Sequence, residues 1–389
     1  MRLALLKGNR FNPWHLKVFE RLRGAPEVTA FQAESEIQEY FRERGDGPQG
    51  FGVERIYFDT QRGNPFSRVA RSLLTRYAGR EPRIVPFAHR LEGYDVIQSW
   101  ELFTDWTAEA VAARERFRIP LAVMVWDNIP FNMEGSPERR ERKRRAAEIA
   151  DVFLVHTKRS RRMLDMEGVA SERVIKVDPG VDTDLFAPGT RDRAAFGLDE
   201  GEFVILFVGW FLPRKGVDFL VLALRELLAD PDLRRLRPRL LMVGSGPGRD
   251  RVERLIARLG IGHACTFAGS MPYGRMPEVY RAADVFVLPS IATASWQEQF
   301  GMALIEAMAS GLPSVATVTG GILEIARGGA VFCQPNDFLS LFESLKRLMQ
   351  DRAAREGLGR TARSLAVERF GLERYAEALS NVYERLLAH

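Results

Sequence analysis

The sequence predicts an α/β protein made of two doubly wound, parallel-sheet domains, and three observations predict it. Short apolar runs alternate with longer segments of helical period, the pattern of βα units. The alternation breaks once, at "DPGVDTDLFAPGT" (178–190), where Pro, Gly and Asp cluster, and then restarts. The chain has 389 residues, 46% of them hydrophobic, which is more than a single core usually sustains.

In the first half the apolar runs "RLALLK", "YDVIQS", "PLAVMVW", "DVFLVH" and "RVIKV" read as strands. Helical segments at 13–23, 105–117, 137–150 and 158–167 follow the first four. The second half repeats the pattern with "FVILFVG", "RLLMVG", "ACTFAG", "DVFVLPS" and "PSVATV", each followed by a loop bearing Gly or Pro and then a helix. Within "EQFGMALIEAMASGLPSVAT" (298–317) a helix opens at Gly301, and Gly311 with Pro313 beyond it stops the helix. The last segment, 371–389, carries an apolar stripe of Leu372, Tyr375, Ala376, Leu379, Val382 and Leu386 that must pack on something. Domains are expected at 1–180 and 181–370, with 371–389 as a separate closing helix.

Charge and cysteine usage narrow the function classes. Net charge is +5, and residues 1–177 hold 31 Lys/Arg against 25 Asp/Glu, so an anionic partner recognised by charge belongs with the first half. Only four apolar residues in a row precede Lys7, too few for a signal-peptide core, and no later stretch has about 18 uninterrupted apolar residues. A cytoplasmic protein is expected. Cys265 and Cys333 lack CxxC spacing and the five His are scattered, so neither a disulfide nor a structural metal is expected. The run "ERRERKRRAAE" (138–148) reads as one solvated helix face or as a patch for peripheral contact with anionic lipid, at the membrane's inner face, or with a phosphorylated acceptor. Nucleic acid is not expected, since no aromatic residue is interleaved with these charges.

Chemistry concentrates in 298–317. From Phe300 to Ala309 every residue is apolar or Gly except Glu306, and an unpartnered carboxylate there costs several kcal/mol. The first free N–H groups of the helix, at Phe300, Gly301 and Met302, face the C-terminal edge of the sheet, and such an end binds phosphate. Glu306 can accept hydrogen bonds from ribose hydroxyls, and Glu298 from a second sugar beyond the phosphates. The alternative is a structural bond from a backbone amide to Glu306 and a solvated Glu298. "GSGPGRD" (244–250) follows a strand, but its spacing is not G-x-G-x-x-G, so no NAD site is read from it.

Two Glu separated by seven residues around a Phe-Gly helix start resemble the signature of the retaining glycosyltransferases of family four. "VGWFLPRKGVDFLVLAL", "LLMVGSGPGRDRVERL", "TFAGSMPYGRMPEVYRAADVFVLPS" and "GGILEIA" resemble that family too and occur in its order, and "PGVDTDLFAP" looks like its interdomain linker. The resemblance implies a GT-B fold of two facing Rossmann-like domains with an interdomain cleft. It implies a nucleotide-sugar donor on the C-terminal domain and an acceptor on the N-terminal one. The closing helix would pack back on the N-terminal domain, and no metal or other cofactor would be required. The acceptor would be a carbohydrate, lipid-linked or small molecule.

By the same resemblance Lys215, in "PRKG", neutralises the donor diphosphate. The family commonly has Arg directly after Gly209, where this chain has Trp210, and Arg214 is expected to compensate for the lost phosphate contact. A second departure puts Trp126 where the family usually has His facing the donor sugar. Asp127 beside it is the catalytic candidate of that strand end, or else makes an Asx-turn into Ile129-Pro130. Gly8 stands where relatives bring the first loop to the donor. Two other functions fit the same scaffold, a sugar-nucleotide epimerase and a non-catalytic nucleotide-sugar binder.

Overall fold

The computed structural model describes residues 1–8, 13–33, 51–58 and 83–388. Residues 9–12 of the first loop and the imidazoles of His15 and His389 lie outside what it describes. The first sheet contains β1 (Arg2–Gly8), β2 (Glu27–Ala33), β3 (Gly52–Ile56), β4 (Val96–Trp100), β5 (Leu121–Val125), β6 (Val152–Val155) and β7 (Val174–Lys176). They lie in the order β3-β2-β1-β4-β5-β6-β7 and every pair is parallel. The second contains β8 (Phe203–Val208), β9 (Pro238–Val243), β10 (Cys265–Gly269), β11 (Val285–Leu288), β12 (Ser314–Thr317) and β13 (Val331–Cys333), ordered β10-β9-β8-β11-β12-β13 and also parallel.

Several central strands are apolar throughout because helices cover both faces of a parallel sheet, while β4 buries Gln98 and Ser99 as well. All five residues of β5 are buried, as are all four of β6 and of β11. Edge strands β3 and β13 carry a weaker signal: β3 has two exposed and two half-buried residues out of five, and neither these nor the neighbouring β2 is singled out by the apolar runs above. Strand order reverses between β1 and β4 and between β8 and β11, so ligand-bearing loops belong at the C-terminal ends of those strands.

The chain forms two compact units, one of Met1–His156, Ser160–Val177 and Tyr375–His389, the other of Thr157–Arg159 and Asp178–Arg374. The closing helix, Leu372–Leu387, thus lends most of its length to the first unit. There Tyr383 Oη donates to Gln98 Oε1 at 2.6 Å and Arg23 N to Ser380 Oγ at 3.1 Å.

The basic run lies on the helix Pro137–Ile149, capped by Ser136 Oγ. Four of its six cations are ion-paired within the unit: Arg142 with Asp105, Lys143 with Glu134 and Glu167, Arg144 with Glu141 and Glu148, and Arg145 with Glu115. These pairs are what the helix-face reading of the run describes. Both cysteines are free thiols, and no helix is long and apolar enough to cross a membrane among the described residues.

Candidate active site

The second unit brings its candidates together at the C-terminal ends of β8 and β11. After β8 the chain turns through Pro213–Lys215, and after β11 it runs from Pro289 to the helix Met302–Ala309. The two loops are tied where Ile291 N donates to Arg214 O at 2.8 Å. Across them Lys215 Nζ pairs with Glu298 Oε2 at 2.8 Å, and the same oxygen accepts from Ser290 Oγ at 2.6 Å. Glu298 is 6% exposed, so it is an anchored carboxylate beside the phosphate-suited helix start and not a solvated loop residue. Arg214 and Lys215 both lie against the ring of Trp296, with Arg214 Cζ 4.7 Å and Lys215 Nζ 5.0 Å from its centroid. Trp296 and Ser290 carry no local sequence signal of such roles; only the folding together of two loops reveals them.

Gly301 opens the helix with φ +69°, a conformation L side chains rarely adopt, and a Cβ there would lie 2.7 Å from Ile322 Cδ1. Phe300 on its N-terminal side is buried, and Met302 begins the helix half-buried. The glycines of "GSGPGRD" are there for close packing. Cβ atoms on Gly244, Gly246 and Gly248 would strike the backbone of Gly209 and Phe211 at 2.0, 2.7 and 2.6 Å. Close approach of the protein's own chain, not of a dinucleotide, explains that motif. Trp210, where an Arg was expected, is 51% exposed.

Glu306 finds its partners in tyrosines. Tyr280 Oη donates to Oε2 at 2.7 Å, and Tyr273 hydrogen-bonds the carboxyl as well. Burial pushes the Glu306 pKa up to about 7 despite these two bonds, which pull it down. Tyr280 stands 26 residues upstream on another helix, beyond the reach of helical spacing.

The remaining candidates, Asp127 and Gly8, belong to the first unit. Asp127 makes the turn contacts that stood as the alternative to its catalytic reading. Its Oδ1 accepts from Asn128 N at 2.8 Å and Ile129 N at 3.2 Å, and its Oδ2 from Asn132 Nδ2 at 2.9 Å. The half-buried turn at 127–132 leaves backbone N–H groups that a short carboxylate satisfies well. Gly8 ends β1 with φ +97°.

Around Gly8 and Asp127, at the ends of β1, β4, β5 and β6, lie groups not singled out from the sequence. Lys7 Nζ sits 5.7 Å from the Trp100 ring and 5.3 Å from the Trp126 ring, and burial lowers its pKa to about 7. Glu101, at φ +61°, accepts from Trp126 N at 3.0 Å, and burial followed by the Asp127 charge raises its carboxyl to about 8. His156 Nδ1 donates to Val177 O at 2.9 Å, and its ring stacks on Trp126 at 6.5 Å. Among the described residues no group of three or more His, Cys, Asp and Glu is placed to hold a metal ion.

Two doubly wound parallel sheets of this order are those of the GT-B architecture. Residues 189–365 match the family model described as glycosyl transferases group 1. The D-inositol 3-phosphate glycosyltransferase of Nocardia farcinica is 33% identical over 323 residues, covering 77% of this chain and 68% of that protein. The protein of the same name from Corynebacterium aurimucosum is 30% identical, over 80% of this chain and 76% of its own. The chain belongs to the group 1 glycosyltransferase family. Crystal structures share the fold over nearly the whole length. Anabaena HepE in complex with UDP has a TM-score of 0.78 at 18% identity, covering 99% of this chain and 100% of that one. Sucrose-phosphate synthase from Thermosynechococcus elongatus has 0.76 at 21%, covering 100% and 99%.

Proposed function

We propose that this glycosyltransferase moves a sugar from a nucleotide-diphosphate sugar to an acceptor hydroxyl with retention of configuration and without a metal ion. The observation that carries the reading is the Lys215–Glu298 pair, 2.8 Å long, beside the start of the helix Met302–Ala309. Lys215 and the N–H groups at the helix start, at Phe300, Gly301 and Met302, receive the diphosphate, and Arg214 adds a second cation. Glu298, on the sugar side of Lys215, orients the donor sugar. Glu306 takes ribose hydroxyls: a carboxylate offers about four acceptor positions, so two tyrosine bonds leave capacity. Catalysis rests on positioning and on stabilising charge that develops on the leaving diphosphate. The acceptor belongs to the first unit, where Lys7, Glu101, Trp126 and Gly8 end their strands; Asp127 shapes the loop beside them.

The names of the fold relatives make UDP-glucose the first donor to try, and those of the sequence relatives make a phosphorylated polyol the first acceptor. The test is incubation with donor alone and with donor plus inositol 3-phosphate, followed by proton NMR of the anomeric signal. A glycoside of the donor's own anomeric configuration, formed only with acceptor, is expected. Donor converted to an isomer without acceptor indicates an epimerase, and nucleotide-sugar binding without turnover indicates a binder.

A further inference from the structure

The family resemblance leads one to expect a cation at position 210, and the structure puts an exposed Trp there. A second feature bears on the loss. Arg214 and Lys215 are adjacent in a single turn of 3-10 helix, where successive side chains diverge by roughly 120°. Their charged heads nevertheless meet on one ring, that of Trp296, at 4.7 and 5.0 Å. Two like charges so close repel. Here the negative face of the indole and the carboxylate of Glu298 offset that repulsion. Trp296 is itself held firmly: Thr293 N donates to Trp296 O at 2.8 Å, closing a short antiparallel bridge, and Thr293 Oγ1 reaches the same oxygen at 3.4 Å. Arg214 Nε is buried and has no hydrogen-bond partner among the described residues, as expected of a donor kept for something the structure does not contain.

We infer that Trp296 gathers Arg214 and Lys215 into one clamp for the phosphate next to the sugar, and thereby sets the preference of this site for nucleoside diphosphates over monophosphates. The inference rests on the donor site proposed above. Lys215 is bonded to Glu298, which lies on the sugar side, so the clamp faces the distal phosphate, while the helix start at Gly301 serves the proximal one. Trp296 is a positioning residue: it acts through the two cations.

The experiment is calorimetric titration of the full chain with UDP, GDP and ADP and with their monophosphates. It compares wild type, Trp296→Leu, Trp296→Phe, the pair Arg214→Met/Lys215→Met, and that pair combined with Trp296→Leu. Trp296→Leu should weaken the preferred diphosphate roughly five- to thirtyfold and its monophosphate less than about twofold. Trp296→Phe, which keeps a weaker aromatic face, should lose roughly two- to fivefold on the diphosphate alone and serves if the Leu variant does not fold. In the background without the two cations, Trp296→Leu should change nothing further. Equal losses for diphosphate and monophosphate, no loss, or an undiminished loss without the cations would each overturn the clamp while leaving the donor site standing. Wild type that binds none of the six nucleotides would overturn the donor site and the clamp together.

Discussion

Glu306 is the one charged residue in its helix, and the two tyrosines that hold it determine how it responds to pH. Its carboxyl titrates at about 7 in the fold against 4.5 ordinarily, so the folded chain keeps a proton that the unfolded chain releases first. Stability from this group is therefore highest below pH 4.5 and declines as pH rises to 7, by roughly 3 kcal/mol at most. Glu306→Gln should flatten that slope in urea titrations run from pH 5 to pH 8. Nucleoside-diphosphate affinity should run the other way in wild type, rising through pH 7 as the ribose acceptor ionises, and this rise should be absent in the Gln variant. Tyr280→Phe removes a buried donor and should cost about 1–3 kcal/mol while raising the carboxyl's pKa further. Glu298→Ala should act differently. It removes Lys215's partner but no nucleotide contact, so diphosphate affinity should hold or rise slightly. Single-turnover transfer should fall roughly ten- to a hundredfold with the loss of an ionic acceptor for the sugar. Parallel losses in binding and transfer would place Glu298 on the nucleotide instead.

Among the elements, the closing helix has the largest structural consequence. Ala376, Leu379, Val382 and Tyr383 are at most 4% exposed, and the Tyr383–Gln98 bond ties the helix to the middle of β4. Burying three such apolar side chains and a tyrosine contributes roughly 6 kcal/mol, comparable with the whole margin of a domain. A chain ending at residue 371 should therefore lose the cooperative unfolding of the first unit, seen as early proteolysis within residues 83–177, while nucleotide binding by the second unit survives. Protection of those residues equal to that of the full chain would show that the helix is dispensable. Tyr383→Phe should be the mild version, costing about 1 kcal/mol in thermal unfolding.

For the whole molecule, each of the two units ends its central strands in a different set of groups. The second unit supplies cations, a helix start and acceptors for hydroxyls. The first supplies a lysine on two tryptophan faces and a buried glutamate. If Arg214, Lys215 and the helix N–H groups meet the leaving-group charge as proposed, transfer should persist in excess EDTA at no less than about half its rate in magnesium. Abolition by EDTA with recovery on adding a divalent cation would show that the diphosphate needs a metal.

Apolar runs that no polar residue interrupts determined the two parallel sheets, because a strand covered on both faces has nowhere to put a charge: β5, β6, β8 and β11 were readable for that reason, and edge strands β3 and β13 were not. Glu298, Gly301 and Glu306 stood out in the sequence because a helix start and the carboxylates spaced around it form a local pattern that survives in one dimension, whereas Lys215 stood out only through the family resemblance. What needed the tertiary structure was every pairing between distant segments. Tyr280 supplies the hydroxyl for Glu306 from 26 residues away, Lys215 and Glu298 meet across 83 residues, and Trp296 aligns two neighbouring cations. Asp127 was ambiguous between turn and chemistry because both uses want a short carboxylate at a strand end, and only the positions of Asn128, Ile129 and Asn132 revealed the turn. Spacing along a chain encodes what one helix or strand presents; a hydrogen bond or a cation over a ring depends on which segments meet, and that is fixed when the sheets and their loops pack.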